Sequence, residues 1–280
     1  MEQNTNERLD HVDGLLNYLE YTGERPVTYL YEPASGVPMR TAGNVKYTMA
    51  VLNGRLVADQ LTLDNQGFAF RKHETKVVNF YDPAEVERVY YPEVAQLVKD
   101  ATGAIKVQVF DHNVRCRPMA KAGLNGAREP VKFAHNDYTL KSGPQRVRDL
   151  MGAEADELLK HRFIEINVWR PIRGPVQESP LALCDAQCMV QEDFVKHVLK
   201  YRDRDGEVYS VAYNPNHRWY YIPNQQKEEV LLLKCYDSDG RRARFTAHSA
   251  FEDPTSPPDA TPRESIEVRT LVFFPHDSAA

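Results

Sequence analysis

A few residues in this 280-residue chain have the types and spacing that metal chemistry needs. His135 and Asp137 lie two apart in Phe133-Ala134-His135-Asn136-Asp137-Tyr138-Thr139, and residues two apart on an extended segment project from the same face. An imidazole and a carboxylate on one face, joined by a second imidazole from far along the chain, form the facial triad that holds Fe(II) and leaves coordination positions open. His-x-Asp is a short pattern that arises by chance in many chains, so the weight falls on the third ligand. His248, in Arg244-Phe245-Thr246-Ala247-His248-Ser249-Ala250-Phe251, supplies it where that segment is a strand beside the first. His11 and His276 are near the ends, His161 and His197 fall in predicted helices, and His73 lies in a polar stretch; His112 and His217 stay as rivals. Asn136 points away from the face of His135 and is expected to tolerate substitution better than its neighbours.

A second pattern follows His248. Arg263 and Ser265 are also two apart, leading into the last strand. A planar guanidinium and a hydroxyl on one strand face can grip the free carboxylate of a dicarboxylate whose keto acid end chelates the metal. Arg269 falls on the same face of the alternation and competes for that role. In Asn167-Val168-Trp169-Arg170, Asn167 and Trp169 share a face opposite Arg170. An inward Asn167 would donate to the same ligand. Trp169 would wall a cavity or fill the core, and Arg170 is expected to pair with a carboxylate at a sheet edge. Tyr138, Trp219, Tyr220 and Tyr221 either shape an apolar pocket or pack in the core.

The elements that must position these groups are mostly strands. From Lys106 onward eight are expected: Lys106 to Cys116, Val131 to Thr139, Phe163 to Arg170, Leu181 to Ala186, His217 to Pro223, Val230 to Asp237, Arg244 to Phe251 and Ser265 to Phe274. Helices are expected over Gln145 to Arg162 and Gln191 to Tyr201. Eight strands with only two helical insertions fit a double-stranded β-helix, the cupin-like jelly roll, better than parallel α/β, which needs regular strand-helix alternation. In that topology the strand of His248 lies antiparallel beside the strand of His135. Upstream, Lys46 to Leu52 and Arg55 to Ala58 read as a hairpin around Asn53-Gly54. A helix opens at Asp82-Pro83, its apolar residues spaced to pack on a sheet. The expected organisation is one mainly β domain over residues 1–280 with flanking helices. Residues 1–104 give an N-terminal arm, strands and a helix; residues 105–280 give the jelly-roll core.

Composition bounds the function classes. The net charge of −5, with Lys and Arg dispersed, offers no basic footprint for nucleic acid. No apolar run reaches the ~20 residues of a membrane span, and the polar start carries no secretion signal, so the expected location is the cytoplasm. The four cysteines, Cys116, Cys184, Cys188 and Cys235, form no Cys-x-x-Cys and are expected to be free thiols.

The motifs together resemble the Fe(II)- and 2-oxoglutarate-dependent oxygenases, and within them the gibberellin-desaturase-like (CmcJ/NvfI) family. The resemblance covers most of the chain from about Asn44. It rests on His135 to Thr139, Asn167-Val168-Trp169-Arg170-Pro171-Ile172, Pro180 to Asp185, Trp219-Tyr220-Tyr221-Ile222-Pro223, and the segment from His248 to Arg269. It implies iron on His135, Asp137 and His248, 2-oxoglutarate on Arg263 and Ser265, and molecular oxygen as co-reactant. The gap from His248 to Arg263 is longer than the commonest spacing and holds Pro254, Pro257 and Pro258, which keeps Arg269 in contention. The implied activity is hydroxylation, desaturation or oxidative rearrangement of a mid-sized natural-product intermediate in secondary metabolism. The partner is then a small molecule, and the arm allows a homodimer. The alternatives are a jelly-roll oxidase or isomerase that does not consume 2-oxoglutarate, and a non-catalytic binding barrel.

Overall fold

The computed structural model describes residues 10–275; the polar start at residues 1–8 and His276 lie outside the described residues. The strands are β1 (His11–Leu19), β2 (Val27–Tyr29), β3 (Asn44–Asn53), β4 (Phe68–Lys72), β5 (Lys106–Cys116), β6 (His135–Asn136), β7 (Phe163–Pro171), β8 (Leu181–Cys184), β9 (Phe194–Lys200), β10 (Asp205–Val211), β11 (Trp219–Tyr221), β12 (Glu229–Asp237), β13 (His248–Ala250) and β14 (Glu264–Phe273). They form two sheets, a larger one in the order β1-β3-β11-β8-β13-β6-β10-β9-β2 and a smaller one in the order β4-β12-β7-β14-β5. This is the jelly roll that the strand count anticipates.

The smaller sheet is apolar on one face and mixed on the other, and β7 shows why. All nine of its residues are buried. Alternation sends Ile164, Ile166 and Val168 outward against Val86, Tyr90, Val94 and Val98 of the helical segment that ends with Tyr91–Thr102. Full burial of each such aliphatic side chain contributes about 1.5–3 kcal/mol. The helical segment starts where Asp82 accepts from Ala84 N at 3.0 Å, with Pro83 in the first turn, and it stops at Gly103, whose φ of 71° is left-handed. The other face of β7 turns Phe163 and Trp169 inward to meet Leu231, Leu233, Leu183, Tyr209 and Phe245 between the sheets. Glu165 and Asn167 share that inward face, so polar groups reach the barrel interior on the most buried strand of the fold.

β13 pairs with β6 antiparallel, with His248 opposite His135, as the jelly-roll order requires. Several expected elements come out differently. Asn53-Gly54 is not a hairpin: the Asn53 side chain caps Arg55 N, and Gly54–Gln60 coils into a 3-10 helix, because a capping Asn competes with its own turn-forming tendency. The N-terminal segment, expected as an arm, joins the sheet itself: β1 and β3 pair over their length within the sheet that carries β6 and β13. The expected helix over Gln191 to Tyr201 is a short 3-10 turn followed by β9, which forms a hairpin with β10. The helix expected from Gln145 runs over Ser142–Met151 and is broken at Gly152, with a short turn of helix at Ala155–Leu158. The strand expected over Val131 to Thr139 narrows to β6.

Candidate metal centre

His135, Asp137 and His248 offer one ligand atom each, and these atoms lie within 4.8 Å of one another. Each imidazole is fixed in the same way. His135 Nδ1 is 2.9 Å from the Phe133 carbonyl, and His248 Nδ1 is 2.9 Å from the Thr246 carbonyl. A carbonyl oxygen only accepts, so both Nδ1 atoms carry hydrogen and both Nε2 atoms present lone pairs. Burial, with His135 beside it, lowers His248 to a pKa of about 4, so its ring is neutral at physiological pH.

Asp137 is held from behind. Its Oδ2 accepts from Asn167 Nδ2 at 2.9 Å and from Arg269 Nε at 3.0 Å, while Oδ1 faces His135 Nε2 at 3.5 Å. Burial opposes the charge, but Arg269, the contact with His135 and the nearby His248 outweigh it and hold the carboxyl well below the usual range. One oxygen of a locked carboxylate and the Nε2 atoms of two imidazoles therefore converge on one point. That is the donor set of a facial metal triad.

The two candidate arginines differ in what they already hold. Arg269 spends Nε on Asp137, one terminal nitrogen on Asp111 at 3.0 Å and the other on Glu267 at 3.1 Å. Arg263 gives one terminal nitrogen to the Ser179 carbonyl at 2.6 Å, while its buried Nε has no partner among the described residues. The buried hydroxyl of Ser265 has none among them either. Burial, with Arg115 nearby, lowers Arg263 to a pKa of about 9. Arg263, Trp169, His135 and His248 line one cavity, about 290 Å³ with its open mouth included. Unpaired buried donors are costly, so a vacant guanidinium edge and a hydroxyl beside a metal triad fit a carboxylate ligand.

The remaining sequence candidates are placed as follows. Asn167, expected to reach a cosubstrate, donates from Nδ2 to Asp137, and its buried Oδ1 has no partner among the described residues. Arg170 is fully buried and donates to the carbonyls of Lys227 and His73 instead of pairing with a carboxylate. His112 bonds the Tyr91 hydroxyl; His217 bonds Asp193 and Tyr18. Tyr138 and Trp219 pack in the core. Asn136 does not tolerate freedom: it is wholly buried, donating to the carbonyls of Tyr138 and Cys235 and accepting from Thr246 N. Sequence reasoning missed Asp111, Glu267 and Arg115, which act through strand register. Alternation along Arg263, Ser265, Glu267 and Arg269 was the one signal that pointed to Glu267.

Fold and site together define a jelly-roll enzyme with two histidines and one carboxylate for a non-haem metal. Comparison with known proteins narrows this. A family model described as an oxidoreductase/YMDC permease-like domain matches residues 16–273. The Fe(II)/2-oxoglutarate-dependent dioxygenase nvfI of Aspergillus novofumigatus is 34% identical over 254 residues, 87% of this chain and 90% of that protein. The hydroxylase/desaturase efuI of Hormonema carpetanum is 36% identical over 239 residues, 77% of this chain and 79% of the other. The solved structure of the iron and alpha-ketoglutarate-dependent endoperoxidase NvfI superposes with a TM-score of 0.87 at 28% identity, covering 95% of this chain and 98% of that one. The chain belongs to this family of Fe(II)/2-oxoglutarate-dependent dioxygenases.

Proposed function

We propose that His135, Asp137 and His248 hold the iron, that Arg263 and Ser265 hold the distal carboxylate of 2-oxoglutarate, and that the substrate is a mid-sized natural-product intermediate of secondary metabolism. The observation that carries the site assignment is the contrast between the two arginines. Arg269 is saturated by three carboxylates, whereas Arg263 Nε and Ser265 Oγ are buried and unpartnered beside the triad. The substrate class is supported by the names of relatives, a hydroxylase/desaturase and an endoperoxidase among them.

Bound iron and 2-oxoglutarate supply an oxidant from dioxygen, with the cosubstrate decarboxylated to succinate. The chain's own part is positional. The Phe133 and Thr246 carbonyls orient the two imidazoles, Arg269 helps to keep Asp137 ionised, and Asn167 and Arg269 both hold its Oδ2, leaving Oδ1 on the side of His135. Trp169 walls the cosubstrate cavity, with the Arg263 guanidinium 5.5 Å from its ring centre. Hydroxylation, desaturation and rearrangement all begin from this arrangement, and the substrate's seating selects among them. No helix among the described residues is long and apolar enough to cross a membrane. A single oxygenase domain acting in the cytoplasm belongs to the same proposal.

Anaerobic Fe(II) titration tests the ligand set: His135→Ala, Asp137→Ala and His248→Ala are each expected to lose iron binding while keeping the fold. Iron bound normally by two of the three would overturn it. Product formed without stoichiometric succinate would overturn the role of 2-oxoglutarate.

A further inference from the structure

The cosubstrate cavity is lined by two guanidiniums, Arg115 and Arg263, but by a single carboxylate, Glu267. That carboxylate is already engaged, since Glu267 Oε1 accepts from Arg269 at 3.1 Å. Glu178 accepts from Arg263 N at 3.1 Å and Asp137 bears on Arg115, yet among the described residues neither guanidinium donates to a carboxylate. Arg115 reaches this place by register. It lies directly opposite Ser265 in the β5–β14 pair, and facing residues of an antiparallel pair share one side of the sheet. Arg263 is two residues before Ser265, on the same side. One nitrogen of Arg115 donates to the Glu129 carbonyl at 2.8 Å, which anchors the side chain beside the cavity. Burial lowers the proton affinity of both guanidiniums, and for Arg263 the repulsion from Arg115 counts next after burial. An anion seated between them removes that repulsion and fills the unpaired donors at Arg263 Nε and Ser265 Oγ.

We propose that Arg115 and Arg263 form a two-guanidinium clamp on the distal carboxylate of 2-oxoglutarate, with the Ser265 hydroxyl as a third donor. The inference rests on the cosubstrate site proposed above and adds Arg115 to it as a binding residue.

The test uses two ligands that differ at one end. 2-Oxopentanoate keeps the keto acid and replaces the distal carboxylate of 2-oxoglutarate with a methyl group. Calorimetric titration of each into the full-length protein loaded with Mn(II), in wild type, Arg115→Ala, Arg263→Ala and the double variant, measures binding without turnover. Arg115→Ala is expected to weaken 2-oxoglutarate roughly 10- to 100-fold, the range for hydrogen bonds to charged groups, and to leave 2-oxopentanoate unchanged. Arg263→Ala should keep part of the preference for 2-oxoglutarate, and the double variant should lose it. An Arg115→Ala protein that folds and keeps the full preference overturns the clamp. So does one that weakens both ligands equally, because a merely structural Arg115 has that signature. Where Arg115→Ala does not fold, Arg263→Ala decides: complete loss of preference there overturns the clamp, and a residual preference that Arg115→Lys reduces supports it. Wild type with no preference between the ligands would overturn the cosubstrate site itself, and the clamp with it.

Discussion

Asn136 sits between two proposed iron ligands, and replacing it probes how the fold builds the site. Its amide donates to Tyr138 O at 2.7 Å and Cys235 O at 2.9 Å, and its oxygen accepts from Thr246 N at 3.2 Å. The third bond matters doubly, because the carbonyl of the same Thr246 accepts from His248 Nδ1. One buried side chain therefore ties the strand of His135 to the segment that orients His248. Asn136→Ala leaves three buried backbone groups without partners, each costing about 1–3 kcal/mol, so the total is about 3–9 kcal/mol. Against a typical stability of about 5–15 kcal/mol, the melting temperature should fall on the order of 10 °C, and metal affinity by roughly 10- to 100-fold as the imidazoles lose their setting. Asn136→Asp should be worse at pH 7, because a carboxylate then faces two carbonyl oxygens. Burial and those carbonyls raise its folded pKa above the unfolded ~3.9, so stability is greatest at low pH and is lost as pH rises through the folded value. Scanning calorimetry from pH 4 to 8, with anaerobic iron titration, checks both variants. A wild-type melting temperature in Asn136→Ala, or an Asn136→Asp protein no weaker at pH 7 than at pH 4, would refute the reasoning.

Other substitutions test separate parts of the structure. Arg269→Ala strands Asp111, Glu267 and Asp137, and should cost about 3–5 kcal/mol with a roughly 10- to 100-fold loss of iron affinity, read by urea melts and anaerobic titration; 2-oxopentanoate and 2-oxoglutarate should be affected alike. His197 is buried between Thr28 and Ser210 hydroxyls, and burial with Arg40 nearby lowers its pKa to about 4. Its contribution is whole above the unfolded ~6.5 and is lost as pH falls toward the folded value, by up to about 3 kcal/mol; urea melts should show wild type losing that much more than His197→Gln between pH 7 and 4. Glu165 is buried with both carboxyl oxygens unpartnered, and burial pushes its pKa well up. A raised carboxyl pKa means that stability falls as pH rises above the unfolded ~4.3, so Glu165→Gln should melt higher than wild type at pH 8 and alike at pH 4. Equal melting of the two proteins at both pH values would show that Glu165 has a partner in solution.

How much of this was legible in the chain depends on what each residue's neighbours are. β5, β7, β12 and β14 are long, with Val, Ile, Leu and aromatic residues on at least one face, and their positions follow from period-2 alternation. The triad was legible for the same reason, since two residues on one strand and one on its antiparallel neighbour need only strand order. β9 was not. Phe194, Val195, Val198 and Leu199 satisfy helical spacing as well as they satisfy a strand, and only pairing with β10 decides between them. The hairpin loop at residues 201–204 offers no Asn-Gly to announce it. Asn136 was misjudged because alternation says which way a side chain points and nothing about the carbonyls waiting there.

The choice between Arg263 and Arg269 shows the same limit in energetic form. Arg263 just precedes β14 and Arg269 lies within it on the same face of the alternation, which gives no reason to prefer either. Register separates them. A ladder that sets Arg269 opposite Asp111 on β5 and Asn167 on β7 surrounds it with acceptors, so its charge is spent inside the protein. Two steps beyond Glu267 the same ladder sets Ser265 opposite Arg115 and Pro171, and the acid next to Arg263, Glu178, accepts from its backbone N–H and not from its guanidinium. Buried donors without acceptors, such as Arg263 Nε and Ser265 Oγ, are destabilising on their own, and they are retained where a ligand accepts from them. The arginine left with unpaired donors is therefore the one proposed to bind, and the saturated arginine is the one that fixes Asp137.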